Sequence, residues 1–495
     1  MVTSFKPTFV SDALLKDAAY VNGKWIKKSE QVFEVTDPAT GEVIMKLPDQ
    51  DVEIVDEAID AAYSAFKTFK NSTVRQRATW LRKLYTLMMD NIEDLGKILS
   101  WENGKPLAEG IGEIKYAASF FEWYAEEAPR IYGTTITAGI ETNRVFTRRE
   151  PVGVCGIICP WNFPSAMITR KAGAALAAGC TIVLKPDSQT PLSALAIAHL
   201  AHEAGLPAGV FNVVLSHTRT PEFGIKLCES PKVRKVSFTG STAVGKILMK
   251  QCSSTLKKLS FELGGNAPLI VFEDADMDKA VDEAVACKFR GLGQTCVCAN
   301  RFYVQESIMD EFASKFAEKV KKFVIGHGLK EGVTHGCMIN PKAIEKVEAH
   351  SKDAIEKGAK VVVAGGRLPD LGPTFYSPTV LSHVPQSADV ASQETFGPLC
   401  AMIPFKTAEE VVGYANDTEV GLAAYVFSKN IDTIYTVSEA LETGMVSCNT
   451  GVFSDSTVPF GGVKESGFGR EGSLHGIEDY TVIKSTIIGG LPKRM

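Results

Sequence analysis

From Pro151 onward, short runs of β-branched and apolar residues alternate with longer helix-compatible segments, and this alternation restricts the fold more than any other feature of the chain. Val152 to Cys159 reads as a buried strand, Ala166 to Ala178 as a helix and Thr181 to Leu184 as a strand. Pro191 to Ala204 is a helix opened by Thr190, with proline in its first position. Phe211 to Leu215, Pro221 to Cys228, Lys235 to Phe238 and Val244 to Cys252 continue the series. Strands joined through helices run parallel, and a parallel sheet needs cover on both faces. Such sheets take ligands at the carboxyl ends of their strands. The loops to watch are therefore Pro160-Trp161-Asn162, Lys185-Pro186 and Thr239-Gly240-Ser241. A second α/β run starts near Ala267, with strands predicted at Ala359 to Ala364, Leu399 to Phe405, Ala423 to Phe427 and Met445 to Cys448.

The ends of the chain read differently. The first 150 residues are mostly helical by pattern, with helices over Asp51 to Phe69 and Thr73 to Leu99, the second capped by Thr73. Gly133 to Arg148 turns to β-branched alternation and predicts a hairpin. Tyr480 to Ile488 is strand-like, and a terminal strand of this kind often extends another subunit's sheet. A homodimer or homotetramer is expected.

With 495 residues, two or three domains are the default. A net charge of −5 with dispersed Lys and Arg leaves no footprint for nucleic acid. The stretch Ala172 to Leu184 is too short to span a bilayer, and Met1 to Pro7 resembles neither a signal nor a transit peptide, so a cytoplasmic protein is expected. Eleven cysteines, an odd number without CxxC pairs, read as reduced thiols, and no ligand cluster predicts a metal.

Two glycine motifs mislead. Gly467 to Gly472 matches GxGxxG but follows no strand, which makes it a turn. Gly240 to Lys246 approaches a phosphate loop, yet Ile247 stands where Ser or Thr must hold magnesium. A glycine turn feeding a helix can still face a phosphate or a nicotinamide.

The chemistry centres on Phe289 to Arg301, where Gly293-Gln294-Thr295 leads into Cys296 behind a helix running from Asp276 to about Arg290. Glycines beside a thiol let backbone N–H groups approach what the thiol attacks. Read with Pro160-Trp161-Asn162-Phe163-Pro164, Phe261-Glu262-Leu263-Gly264-Gly265-Asn266 and Glu394-Thr395-Phe396-Gly397-Pro398, it resembles the NAD(P)-dependent aldehyde dehydrogenase superfamily. Pro459-Phe460-Gly461-Gly462 and Lys464-Glu465-Ser466-Gly467 extend the resemblance over nearly the whole chain. It implies an α/β fold of two parallel-sheet domains plus a β oligomerisation extension. Residues 1–132 and 152–264 would form the cofactor-binding domain, 265–462 the catalytic domain, and 133–151 with 478–495 the oligomerisation strands.

The resemblance makes Cys296 the nucleophile, with the Asn162 amide and the Cys296 N–H as the oxyanion site. Glu262 becomes the general base, and its apolar neighbours Phe261 and Leu263 predict a raised pKa. It places Trp161, Lys185, Gly240, Ser241, Glu394 and Phe396 on the cofactor. Ser188 occupies a position where NAD-preferring members commonly carry Glu; a neutral residue there beside Lys185 predicts NADP, with NAD possible and Asp187 acting against the preference. Within the superfamily the chain most resembles succinate-semialdehyde dehydrogenases. Arg170, eight residues after Asn162, and Arg290, six before Cys296, would hold the distal carboxylate with Ser454. Glutarate semialdehyde or another short semialdehyde is the alternative substrate, and a cofactor-free cysteine acyltransferase or esterase the remote one. Cys298 raises the prospect of a reversible disulfide with Cys296.

Overall fold

The computed structural model describes residues 5–493. The alternating region folds into a parallel sheet whose strands run, in spatial order, Phe211–Val213, Thr181–Lys185, Val154–Ile158, Val233–Thr239 and Lys258–Glu262. Period-two alternation sends side chains to both faces. Cys155, Ile157, Ile182 and Leu184 enter one core and Val154, Val183, Val236 and Phe238 the other.

The chain starts this sheet in the middle. From Val154–Ile158 it adds two strands on one side, then crosses over and adds Val233–Thr239 and Lys258–Glu262 on the other. The loops after Val154–Ile158 and Val233–Thr239 therefore diverge, and a crevice opens between them.

The second sheet is built likewise, in the order Lys360–Val363, Thr379–Ser382, Leu399–Phe405, Arg301–Gln305, Pro268–Val271, Ala423–Phe427 and Met445–Cys448. All its pairs are parallel except the one formed by Lys360–Val363. Among the described residues, no helix is long and apolar enough to cross a membrane.

Three expectations need correction. The N-terminal region is not simply helical: it contains strands Ala19–Val21, Lys24–Ile26, Val32–Thr36 and Val43–Pro48, of which the first two extend the edge of the first sheet. Their apolar runs are too short to show a period. The predicted Thr73–Leu99 helix is two helices, Val74–Asp90 and Ile92–Asn103, broken at Asn91, whose side chain donates to the Leu87 carbonyl at 2.8 Å. Thr73 does cap the first, in a reciprocal box with Gln76. The terminal strand Thr481–Ile488 is paired within its own chain, antiparallel to Arg144–Pro151 over eight residue pairs. With Thr135–Ile136 it forms a separate three-stranded sheet.

The glycines of the misleading GxGxxG serve the backbone. Gly467–Phe468 pairs antiparallel with the end of Lys258–Glu262, setting Gly467 opposite Glu262. Gly467, Gly469 and Gly472 have φ of 108°, 90° and 68°. A Cβ on Gly467 would lie 2.0 Å from the Phe261 carbonyl oxygen. Gly467→Ala is therefore expected to cost at least ~2 kcal/mol, through strain and overpacking together. Urea unfolding should show this as a lower midpoint, and an unchanged midpoint would refute the close approach.

Candidate active site

Asp276 caps the helix Met277–Phe289, accepting from the Lys279 N–H at 3.2 Å. The chain then passes through three left-handed residues, Gly291, Leu292 and Gly293, with φ of 57°, 56° and 79°. A left-handed Leu costs roughly 1–2 kcal/mol, and here its side chain is buried in the core of the second sheet. A Cβ on Gly293 would lie 2.4 Å from the Gly397 carbonyl oxygen, so only glycine fits. This turn carries Cys296 towards the crevice of the first sheet.

Groups from outside the turn clamp it. Glu109 accepts from the Gly291 N–H at 2.9 Å, and Asn162 Nδ2 donates to the Gln294 carbonyl at 3.1 Å. A Cβ on Gly265 would stand 2.8 Å from the Cys296 carbonyl oxygen. The bond to Gln294 uses one Asn162 amide hydrogen and leaves the other.

Cys296 and Asn162 line a cavity of about 220 Å³ in the switch-point crevice, with Trp161, Gly240, Glu394 and Phe396. The Trp161 and Phe396 rings stand 5.8 Å apart at 85°. Gly264 lines the slot, where a Cβ would lie 3.4 Å from Glu394 Oε2. Aromatic walls, glycine edges, one carboxylate and the amino end of the Thr242–Cys252 helix, capped by Ser241, fit a nicotinamide riboside joined to phosphate. The phosphate-loop likeness ends at Lys246, which pairs with Glu465 at 2.6 Å.

Lys185 lies at the end of the adjacent strand, outside this slot, and is 5% exposed. Burial lowers its pKa, with Asp187 and Asp49 acting against the fall. Ser188 Oγ lies 3.0 Å from His217 Nδ1. The Asp187 carboxylate turns back to the Gln189 N–H at 2.9 Å.

Burial pushes the Cys296 thiol up to about 12, Arg170 opposing and Glu394 and Glu262 adding to the rise. The resting thiol is neutral. Glu262, 3% exposed, has an Oε2 without a hydrogen-bond partner among the described residues. Burial raises its pKa well above the usual carboxylate range, Glu471 reinforces this, and Arg170 and Lys171 oppose it. Burial likewise raises Glu394 to about 7.

A second cavity is lined by Arg290, Ser454, Phe163, Tyr116, Lys105 and Glu109 among others. The step from Asn162 to Phe163 passes from one cavity to the other. Arg290 donates to Ser454 Oγ at 2.6 Å, and its guanidinium lies 4.9 Å from the centre of the Phe163 ring. Lys105 is buried between Glu113 (2.7 Å) and the Asn162 carbonyl (2.8 Å).

Arg170 is placed elsewhere than expected. It is 1% exposed on a helix buried along its whole length, where it pairs with Glu471, and it does not line the Arg290 cavity. Such a helix has no route to solvent, so its cations need a buried carboxylate. Lys171 shares Glu471, at 2.6 Å. Sequence reasoning missed Glu471; its one signal is its place inside the dismissed Gly467–Gly472 motif. It also passed over Lys105, in the loop before the helix Leu107–Glu127, and Glu109 and Tyr116 on that helix, whose spacing resembles that of any half-buried helix. Cys298 and Cys296 line different cavities, and the Cys298 thiol donates to the Gly293 carbonyl at 3.1 Å.

Burial pushes Glu471 up, but Arg170 and Lys171 outweigh it and hold the carboxyl below its usual range. A depressed folded-state pKa contributes stability above the unfolded pKa and loses it as pH falls through the folded one. Glu471→Gln should cost ~3–5 kcal/mol at neutral pH, measured by urea unfolding, with the gap from the parent narrowing below about pH 4. A gap that stays constant with pH would rule out the ion pairs as its source.

A profile described as "Aldehyde dehydrogenase family" matches residues 25–486. The chain is 70% identical over 487 residues to succinate-semialdehyde dehydrogenase [NADP(+)] of Saccharomyces cerevisiae, covering 98% of each chain. It is 53% identical to succinate-semialdehyde dehydrogenase [NADP(+)] 1 of Schizosaccharomyces pombe, covering 96% of this chain and 95% of that one. The crystal structure of an aldehyde dehydrogenase from Brucella melitensis biovar abortus superposes with a TM-score of 0.96 at 50% identity, covering 98% of this chain and 99% of that one.

Proposed function

The chain belongs to the aldehyde dehydrogenase family, and on that premise we propose that it oxidises succinate semialdehyde to succinate, with NADP as the preferred hydride acceptor and NAD as a poorer one. The observation that carries the substrate is the Arg290–Ser454 pair at 2.6 Å in the cavity next to the nicotinamide slot. A cation and a hydroxyl positioned together, in the cavity entered by Phe163, the residue after the Asn162 that shares a cavity with the thiol, suit a carboxylate at the far end of an aldehyde. Arg170, held by Glu471, acts on Tyr116 and Cys296 through its charge.

The Cys296 thiol gives its proton to water in the cavity as its sulfur attacks the aldehyde carbon. The free Asn162 amide hydrogen and the Cys296 N–H take the oxyanion, a contact worth about 3–4 kcal/mol. When bound, the dinucleotide supplies the hydride acceptor, so the adduct on Cys296 becomes a thioester. Glu262, with an unpartnered oxygen and a raised pKa, then takes a proton from the water that cleaves the thioester. Trp161, Phe396, Gly240 and Ser241 would hold the nicotinamide half, Glu394 its ribose, and Lys185 with Ser188 the phosphorylated adenosine ribose. The NADP preference rests on the neutral hydroxyl of Ser188 and on Asp187 being turned to its own backbone.

A cytoplasmic location fits the eleven free cysteines, the state that a reducing compartment maintains. The terminal strand exposes Val482, Ile483, Ile487 and Ile488, which suits contact with a second copy in a homodimer or homotetramer.

Arg290→Ala should lower kcat/KM for succinate semialdehyde by at least ~2 kcal/mol and leave an uncharged aldehyde of similar length little affected. Equal losses on both would remove Arg290 from carboxylate recognition; a panel including glutarate semialdehyde tests the chain length. Glu262→Gln should reduce kcat about 10²–10⁴-fold and accumulate a thioester on Cys296, visible by mass spectrometry of the intact protein. Slow turnover without that adduct would mean Glu262 acts before hydride transfer. Ser188→Glu should shift the ratio of kcat/KM values towards NAD by about 2 kcal/mol.

A further inference from the structure

His217 follows the strand Phe211–Val213 and the chain segment Val214–Ser216, so it lies over the end of the strand next to the one that ends in Lys185. Its Nδ1 is 3.0 Å from Ser188 Oγ, across 29 residues of sequence. The ring is exposed and stacks on Phe33 with centroids 5.9 Å apart and planes at 19°. The backbone beneath it is anchored by Asp49, which accepts from the N–H groups of His217 at 2.9 Å and Thr218 at 3.1 Å, and from the Ser216 hydroxyl at 3.0 Å. Arg219, the next cation along, is already paired with Asp51. An imidazole held by its backbone and its ring face, pointed at one hydroxyl and open to solvent, is a pre-organised hydrogen-bonding group.

We propose that His217 is a specificity-determining residue for the 2′-phosphate of the cofactor, completing a cradle with Lys185 and Ser188. With Nδ1 protonated, the ring donates to Ser188 Oγ, and the hydroxyl hydrogen is freed to point at a phosphate oxygen. A ribose without the phosphate gains nothing from that hydroxyl, so His217 separates NADP from NAD. The inference rests on the NADP reading above.

The test is isothermal titration calorimetry of the full-length protein with adenosine 2′,5′-bisphosphate and with 5′-AMP, which lacks the 2′-phosphate. His217→Ala should weaken the bisphosphate about tenfold or more and leave 5′-AMP affinity close to that of the parent, whereas His217→Arg should retain the bisphosphate. Equal weakening of both ligands would make His217 a support for the loop and overturn the proposal. So would an unchanged bisphosphate affinity in His217→Ala while Ser188→Ala or Lys185→Ala loses it, and that result would leave the NADP reading standing. A parent protein that binds the two ligands equally would overturn the NADP reading and this inference together.

Discussion

Arg170 and Lys171 are buried side by side on a helix without a solvent face, and Glu471 compensates both. The dependence runs outward from that cluster. Two buried cations without a carboxylate would be untenable, so the C-terminal segment must return to the first sheet and deliver Glu471. It does so through Gly467–Phe468, which pairs with the end of the strand carrying Glu262. The same charges reach the chemistry, since Glu471 raises the Glu262 pKa while Arg170 lowers that of Cys296 against its burial. One electrostatic cluster thus supports the fold and modifies the burial-driven rise of the Glu262 and Cys296 pKa values.

The site itself lies where two chain reversals meet. The first sheet opens a crevice where its strand order turns about, and the second sheet supplies the thiol through a turn of three left-handed residues. Leu292 and Phe396, with φ of 56° and 59°, are non-glycine residues in a region that costs energy; Phe396 lines the slot and Leu292 lies in the turn that leads to Cys296. Cross-contacts from Asn162, Glu109 and Gly265 hold that strained geometry and keep Cys296 in the wall of the slot.

Much of this architecture is readable from local pattern. Strand-helix alternation after Pro151 implies parallel sheets because crossovers leave no other pairing, and it points to the loops at 160–162 and 239–241 that line the slot. The short N-terminal strands escaped because three to six residues carry too little periodicity. The break at Asn91 escaped because the apolar spacing continues through it. At the candidate site, Cys296, Glu262 and Asn162 stand in motifs that the sequence shows directly. Glu471 and Tyr116 do not stand out in this way, because their importance lies in what they face.

By itself, then, the sequence determined the layered α/β class, the family and the residue types of the chemistry, since these follow from local pattern and side-chain reactivity. Tertiary structure alone decided which charges meet. It joined Arg170 to Glu471 across 301 residues, Arg290 to Ser454 across 164 and Ser188 to His217 across 29. Pairings of that kind are set by strand order and burial, because a buried charge takes whichever partner the fold brings within reach. No window of sequence contains that information.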